Sequence, residues 1–320
     1  MKTCLIPVKN KRLQRIKNNL VYRFAVFVKW FFNILPRSMA VFVGSVFGYI
    51  AYYFSTKDRA TAHMTLQMVY HESLTAAQCE RVIKNLYMNF GKNLAEVFRI
   101  RKHYSRKIKS LIDVEGLEHF DAVYNRGKGM VAVTGHIGNF ELLAVYFAER
   151  GYKVSVIGRE MYDKRLDKLL IDNRESMGIV NISTTDSPRR IMRILRDGYA
   201  LGVLMDTDSM RVRSEFVPAF GKLSYTPVGH SILGLKAGAG FVPAACVRVG
   251  DRYKVIVKPE VTIESSGDFD KDVYNITAKC TKALEEIIDE YRDQWIWIHN
   301  RWLTRPVDER IEKVDNKDKG

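Results

Sequence analysis

The residues best suited to chemistry are a histidine and a glutamate five positions apart. His136 and Glu141 lie in the stretch MVAVTGHIGNFELL at 130–143. A histidine near its ordinary pKa can take the proton of an attacking hydroxyl, while a carboxylate fixes the imidazole tautomer. The hydroxyl would belong to a substrate, so no covalent intermediate is required. Of the seven histidines, only His136 has an acid five residues later. A structural histidine followed by a helix-capping glutamate is the alternative.

The sequence around this pair predicts a junction between a strand and a helix. The apolar run 130–134 predicts a buried strand, and Gly135 and Gly138 predict a tight exit from it. Asn139 and Glu141 are typical of the first turn of a helix. We therefore expect His136 at the carboxyl end of a strand, where open α/β sheets bind ligands.

The same alternation of strands and helices continues along the chain. Short β-branched runs predict strands at 130–134, 153–157, 178–182, 200–205, 241–249 and 253–261. Amphipathic stretches predict helices at 140–150, 164–177, 188–197, 227–237 and 270–291. The segment 56–109 also has a helical pattern. Together these elements predict an α/β fold in which helices flank a mainly parallel central sheet.

The segment 1–56 has the composition of a membrane-associating segment. Its basic amphipathic part, 2–29, suits the surface of an anionic bilayer. A proline-arginine step at 36–37 separates two apolar runs, 26–35 and 39–54. The uncharged stretch 38–54 would reach about 25 Å as a helix, slightly short of a hydrocarbon core. Insertion, a position in the interface and burial as a core helix all remain open.

Small residues in the second apolar run predict close packing against another helix: Gly44, Ser45 and Gly48. The predicted organisation is the membrane-associating segment 1–56, an α/β domain at 57–308 and a charged tail at 309–320. With 47% hydrophobic residues, the chain has enough apolar material for a large packed domain, which excludes a disordered protein.

The charge balance restricts the partners of the chain. Lys and Arg number 51 and Asp and Glu 36, a net charge of +15, so anionic lipid, an acidic carrier protein or nucleic acid would be attracted. No nucleic-acid-binding motif supports the last of these.

Four dispersed cysteines without a C-x-x-C motif fit neither a zinc cluster nor a disulfide framework. We predict no metal and no cofactor, because P-loop, HExxH and dinucleotide motifs are absent. The segment 229–233, GHSIL, lacks the final glycine of a serine-hydrolase elbow.

Several motifs resemble those of one known family. The block at 136–141, HIGNFE, resembles the H-x4-E block of the bacterial lipid A biosynthesis acyltransferases (lauroyl and myristoyl transferases), within the lysophospholipid acyltransferase superfamily. MDTD at 205–208 and FVPAFG at 216–221 are similar to its D-x-D and F-V-P-x-F-G segments. The stretch 297–306 is similar to its W-x-H-x-R-x-x-T-R-P signature, and Thr226-Pro227 and GFVP at 240–243 resemble its next helix and strand. The resemblance runs from 59 to 306. By contrast, MRVR at 210–213 replaces a more usual glycine-containing turn.

The resemblance implies acyl transfer from an acyl thioester, on acyl carrier protein or coenzyme A, to a hydroxyl of a lipid A precursor. This would take place on the cytoplasmic side of the cell inner membrane. His136 matches the general base and Glu141 its partner. The implied substrate-binding residues are Gly138, Asn139, Arg174, Asp206 and Asp208. Arg174 would hold a phosphorylated acceptor; a surface ion pair is its alternative, and loop capping is the alternative for the two aspartates. A phosphatidylinositol mannoside or lysophospholipid acyltransferase and a noncatalytic membrane-bound relative are the other interpretations.

Overall fold

A computed structural model describes residues 11–71, 73–100 and 109–306. The helices are α1 (Lys11–Ile34), α2 (Arg37–Phe54), α3 (Thr56–Tyr70), α4 (Ala76–Val97), α5 (Leu117–Tyr124), α6 (Phe140–Glu149), α7 (Lys164–Glu175), α8 (Pro188–Arg196), α9 (Gly229–Ala237) and α10 (Phe269–Glu290). The strands are β1 (Ile112–Glu115), β2 (Met130–Thr134), β3 (Val154–Gly158), β4 (Val180–Ser183), β5 (Ala200–Leu204), β6 (Ser214–Ala219), β7 (Lys222–Pro227), β8 (Gly240–Val249) and β9 (Arg252–Val257). Two short 3₁₀ turns, Lys109–Leu111 and Arg292–Gln294, complete the described elements.

Seven strands form one sheet in the order β1-β9-β8-β2-β5-β3-β4. Every neighbouring pair in it is parallel except β8 and β9, which confirms the predicted mainly parallel sheet. Strands β6 and β7 form a separate antiparallel hairpin. The sequence analysis predicted neither this hairpin nor β1. The remaining strands lie within a few residues of their predicted positions.

Strand β2 lies inside the sheet, between β5 and β8, and both of its faces are covered. Val131 and Val133 belong to the core on one face, while Met130 and Ala132 contact the core on the other. Successive side chains of a strand point to opposite faces, and a parallel strand covered on both faces is apolar throughout. This explains the unbroken apolar run that predicted the strand.

Helix α2 packs directly against α4 through glycines. A Cβ atom at Gly44 would lie 2.4 Å from the carbonyl oxygen of Gly91, and one at Gly48 would lie 2.1 Å from that of Tyr87. The predicted close helix contact is thereby confirmed. The same region contains a buried ion-pair network, in which the carboxylate of Glu96 accepts hydrogen bonds from Arg37 and Arg248. These contacts attach the N-terminal helices to the α/β body.

The exposed surfaces of α1 and α2 are rich in apolar side chains. Leu20 and Phe24 are 63% and 68% exposed, and Phe42 and Phe54 are 69% and 83% exposed. Among the described residues, no single helix combines the length and hydropathy needed to cross a bilayer; the α2–α3 pair, bent by 88°, meets those criteria only jointly. The predicted break at Pro36 separates α1 from α2. Residues 1–10 and the predicted tail at 309–320 lie outside the described residues.

Candidate active site

His136 and Asp206 come together because of the order of the strands. Strand β2 pairs in parallel with β5, and Thr134 is in register with Leu204. His136 and Asp206 each follow this registered pair by two residues, so they leave the sheet side by side at its carboxyl edge. Nδ1 of His136 lies 2.8 Å from Oδ1 of Asp206. The imidazole is 25% exposed, whereas the carboxylate is almost fully buried.

The second oxygen of Asp206 is held by two N–H groups. The backbone N–H of His136 donates to Oδ2 at 2.6 Å, and Nε1 of Trp295 donates to it at 2.7 Å. Gly135 makes room for this arrangement, since a Cβ atom there would lie 2.7 Å from the same oxygen. The carboxylate is therefore fixed by three contacts before any substrate arrives. Sequence analysis missed Trp295, which lies just before the C-terminal signature.

The two groups also control each other's ionisation. Burial opposes protonation of His136, but the charge and hydrogen bond of Asp206 outweigh it, so the pKa of the imidazole is raised above its ordinary value. Burial would raise the pKa of Asp206, yet His136 and Trp295 lower it to about 2. An ionised Asp206 keeps the proton of neutral His136 on Nδ1, which leaves Nε2 able to accept a proton.

The predicted pairing of Glu141 with His136 is corrected by the structure. Glu141 lies in the first turn of α6 and forms a two-bonded ion pair with Arg174 of α7. Nε of Arg174 donates to Oε2 at 2.9 Å, and its Nη2 lies 2.5 Å from Oε1. Nη1 of Arg174 donates to the Asn181 side chain at 2.6 Å. The carboxylate at Nδ1 of His136 is thus Asp206, and the guanidinium expected to bind phosphate is occupied by Glu141.

Gly138 and Asn139 are used to hold the loop between β2 and α6. Gly138 has a φ of +56°, and a Cβ atom there would lie 2.1 Å from the Cys246 carbonyl oxygen. Asn139 is buried, and its Oδ1 accepts from the Leu142 N–H at 3.1 Å as the helix cap. The structure gives both residues a structural role, and their predicted contact with substrate stays a prediction.

Asp208 anchors the segment that carries the C-terminal signature. Its two carboxylate oxygens accept from the backbone N–H and the hydroxyl of Thr304, at 2.7 and 2.8 Å. Arg301, in the same signature, is buried and donates to the Thr226 hydroxyl at 2.7 Å. Burial lowers the pKa of this guanidinium to about 10. Asp208 therefore links the loop after β5 to the C-terminal segment, and its predicted contact with substrate stays a prediction.

Comparison with known proteins identifies the family. Residues 8–304 match the model of the family described as bacterial lipid A biosynthesis acyltransferase. The chain belongs to this family. It is 24% identical over 303 residues to the lipid A biosynthesis palmitoleoyltransferase of Escherichia coli, a match covering 89% of this chain and 92% of that protein. It is 26% identical over 286 residues to the lipid A biosynthesis lauroyltransferase of Escherichia coli, covering 87% and 90%.

A phosphatidylinositol mannoside acyltransferase of Mycobacterium tuberculosis is also similar. It is 25% identical over 221 residues, which cover 67% of this chain and 68% of that protein. The family and the names of the relatives establish that the chain is an acyltransferase. They also confirm the resemblance drawn from the motifs.

Beside His136, this lipid A biosynthesis acyltransferase family member has a narrow, mainly apolar pocket. The pocket lies between α6 and the face of β2, β3 and β5. Glu141 and Leu204 line it at the carboxyl edge of the sheet, and Val154 and Ala200 line it at the amino edge. It therefore runs along a five-residue strand, about 13 Å. The ring of Phe140, another lining residue, lies edge-on to the imidazole with ring centroids 5.4 Å apart.

Two other kinds of site find no support in the structure. Ser231, the serine of the incomplete hydrolase elbow, is fully buried, and its hydroxyl hydrogen-bonds to His230 and Thr277. Within 11–71, 73–100 and 109–306, no three His, Cys, Asp or Glu side chains are arranged to hold a metal ion. The His136–Asp206 pair beside the apolar pocket is the arrangement suited to chemistry.

Proposed function

We propose that this acyltransferase moves a fatty acyl group from an acyl thioester to a hydroxyl of a lipid A precursor. The observation that carries the proposal is the imidazole of His136, held at Nδ1 by a buried carboxylate at the mouth of an apolar pocket. The donor would be an acyl group on acyl carrier protein or coenzyme A. The net charge of +15 favours either of these anionic carriers.

In the proposed mechanism, Nε2 of His136 removes the proton of the acceptor hydroxyl as its oxygen attacks the thioester carbonyl. Asp206 stabilises the imidazolium that results. The tetrahedral intermediate then collapses, the carbon–sulfur bond breaks, and the leaving thiolate takes the proton back from His136. The products are an ester and a free thiol, so the enzyme returns to its starting state without an acyl-enzyme intermediate.

The apolar pocket would bind the fatty acyl chain. Its walls are mainly aliphatic and aromatic side chains, the lining usual for sites that bind apolar ligands. Glu141 and Arg174 form the polar part of the lining at the carboxyl edge. Their ion pair would hold α6 against α7 and keep the mouth of the pocket open. A direct part for Glu141 in catalysis remains a prediction from the family resemblance.

The relatives suggest two candidate acceptors. The Escherichia coli lipid A transferases align with about nine-tenths of this chain, whereas the phosphatidylinositol mannoside acyltransferase aligns with 67% of it. The longer alignments favour a lipid A precursor. A phosphatidylinositol mannoside is the second candidate, because several relatives carry that name.

We further propose that α1 and α2 attach the enzyme to the cytoplasmic surface of the inner membrane. Their exposed surfaces carry large apolar side chains, including Phe24 at 68% and Phe42 at 69% exposure. Basic side chains of α1, among them Arg15 and Lys17, are exposed along the same helix. An amphipathic helix with apolar and cationic side chains binds the interface of an anionic bilayer.

The test is product formation by the purified full chain. Acyl donors would be incubated with a lipid A precursor and with a phosphatidylinositol mannoside, and the products identified by mass spectrometry. His136→Ala should reduce turnover at least about a hundredfold, the low end for loss of a general base. His119→Ala, on α5, is the matched control and should retain activity. Near-normal turnover by His136→Ala, or no acylated lipid from the unmodified enzyme, would refute the proposal.

A further inference from the structure

A second cavity lies beside the loop that carries Asp206. It is an open cleft of about 520 Å³ between the loops that follow β3 and β5 and the C-terminal loop. Three arginines line it, one from each segment: Arg159, Arg211 and Arg305. Asp208 and Thr304 complete its polar lining. We call this cavity the arginine cleft.

Two arginines of the cleft, Arg159 and Arg211, have no carboxylate partner among the described residues. Both side chains are exposed. In the same loop as Arg211, Arg213 differs, because it pairs with Asp270 at 2.9 Å. Asp208 is the acid in the lining, and both of its oxygens accept hydrogen bonds from Thr304. The two exposed guanidinium groups of Arg159 and Arg211 suit the cleft to an anion with several oxygens.

The arginine cleft and the apolar pocket are both lined by residues close in sequence to the loops that leave this edge of the sheet. Asp208 of the cleft follows Asp206, the partner of His136, by two residues. Arg159 of the cleft follows Ile157 of the pocket by two residues. With the acyl chain in the apolar pocket, an acceptor bound in the arginine cleft would lie beside the loop that carries Asp206, the partner of His136.

The rim of the cleft indicates a ligand with an apolar part. Met210 and Leu303 line the cleft and are 78% and 72% exposed. Shortly after Arg159, the hydroxyl of Tyr162 accepts hydrogen bonds from Gln14 and Asn18 of α1. These bonds hold α1, the helix with the exposed apolar side chains, against the loop that begins at Arg159. A lipid could place its charged head in the cleft and its chains along that helix.

We infer that the arginine cleft binds a phosphate group of the lipid acceptor and so places the acceptor hydroxyl at His136. This inference rests on the proposed function and adds the site of the acceptor head group. Arg211 lies in 210–213, where the sequence departs from the family's glycine-containing turn. Arg159 and Arg211 supply the binding charge in place of Arg174, whose guanidinium is engaged by Glu141.

The experiment compares Arg159→Gln, Arg211→Gln and the double variant with Arg213→Gln, which removes an equal charge from the same loop. Each protein is assayed with a phosphorylated lipid A precursor and with the same lipid after phosphatase treatment. Loss of one charge-assisted hydrogen bond should raise the KM for the phosphorylated acceptor about tenfold or more in each single variant. In the same variants, the KM for the dephosphorylated lipid and the KM for the donor should change less than about twofold. In Arg213→Gln, the KM for each of these three substrates should change less than about twofold.

A donor without phosphate identifies which substrate carries the bound group. The acyl group is supplied on acyl carrier protein and on N-acetylcysteamine, which has no phosphate. If the variants are impaired only with the carrier-protein donor, the cleft binds the donor and the inference is overturned. Equal impairment with both forms of the acceptor would also overturn it.

Binding without turnover separates this inference from the proposed function. The affinity of His136→Ala for each lipid is measured by calorimetry in detergent micelles. This variant should bind the phosphorylated lipid about tenfold or more tighter than the dephosphorylated lipid. Adding both Arg159→Gln and Arg211→Gln should abolish this difference in affinity. This result would support the cleft even if the unmodified enzyme formed no acylated product. Two results would refute lipid binding by the cleft even if acyl transfer were demonstrated. One is an unchanged preference for the phosphorylated lipid in the protein with both Arg159→Gln and Arg211→Gln. The other is displacement of the lipid by equimolar inorganic phosphate.

Discussion

Asp206→Asn tests how the carboxylate controls His136, because it replaces one oxygen with a nitrogen of nearly the same size. Oδ2 of Asp206 accepts from two N–H groups, those of the His136 backbone and of Trp295, whereas Oδ1 faces the single atom Nδ1 of His136. An asparagine will therefore keep its oxygen toward the two donors and turn its NH₂ group toward Nδ1. Nδ1 must then accept a hydrogen bond, which moves the imidazole proton to Nε2.

This change of tautomer removes the atom that would accept the substrate proton. The variant also loses the charge that stabilises the imidazolium, and a hydrogen bond to a charged group contributes about 1.5–3 kcal/mol, or about 10- to 150-fold in rate. With the unfavourable tautomer added, we expect kcat/KM to fall at least about a hundredfold. The fold should survive, because the shape of the side chain is kept.

The pH profile distinguishes this mechanism from a merely structural effect. The pKa of His136 is raised because Asp206 favours its protonated form more than burial disfavours it. In the unmodified enzyme, kcat/KM should therefore decline on acidification through a pKa above the ordinary value near 6.5. Without the carboxylate charge only the effect of burial remains, so the acid limb of the residual activity should move to lower pH.

The assay is the dependence of kcat/KM on pH, together with the imidazole ¹⁵N chemical shifts, which report the tautomer. Asp208→Asn is the matched control: it removes a carboxylate in the same loop that contacts Thr304 and not His136. Its acid limb should coincide with that of the unmodified enzyme. An Asp206→Asn variant within about threefold of normal kcat/KM, with an unmoved acid limb, would show that this reasoning is wrong.

Three other predictions concern the mouth of the pocket, its depth and the membrane surface. Glu141→Gln and Arg174→Gln should each lower the free energy of unfolding by about 1–3 kcal/mol, and the double variant should lower it by less than the sum of the two. The acid limb of the pH profile of kcat/KM should not move in any of these variants. Purely additive losses of stability would contradict the ion pair. Ala144→Leu should lower kcat/KM for long acyl donors at least about tenfold more than for short ones, with Ala144→Ser as control, because leucine would fill the middle of the pocket. A uniform loss for all donors would contradict the pocket's role. The double variant Leu20→Glu/Phe24→Glu on α1 should no longer sediment with anionic vesicles, whereas Tyr274→Glu on α10 should still sediment with them. Unchanged sedimentation of the double variant would contradict membrane binding through α1.

Much of the fold could be predicted because its signals are local. The apolar run of β2, the glycines after it and the cap Asn139 lie within ten residues, and each has a backbone reason that sequence displays. Strand β1 has only four residues, two of them exposed acids, Asp113 and Glu115. The β6–β7 hairpin mixes apolar and polar side chains. Neither has the continuous apolar pattern by which a buried strand is recognised.

The candidate site was only partly predictable because its main contact is not local. His136 and Asp206 were each identified from motifs, but their partnership depends on β5 lying beside β2, although β3 and β4 come between them in sequence. Proximity in sequence favoured Glu141 instead. In the same way, Arg174 has the residue type of a phosphate ligand, and only the packing of α7 against α6 shows its ion pair with Glu141.

The source of the carboxylate has a consequence for how the enzyme could vary its acyl specificity. Asp206 follows β5 and Trp295 follows α10, so the groups that fix His136 do not belong to α6. Helix α6, however, supplies one wall of the apolar pocket through Leu143, Ala144 and Phe147. Side chains on this wall can change in size and alter the space for an acyl chain without disturbing the tautomer of the base. If Glu141 of α6 held the imidazole, any adjustment of that helix would also move the catalytic contact.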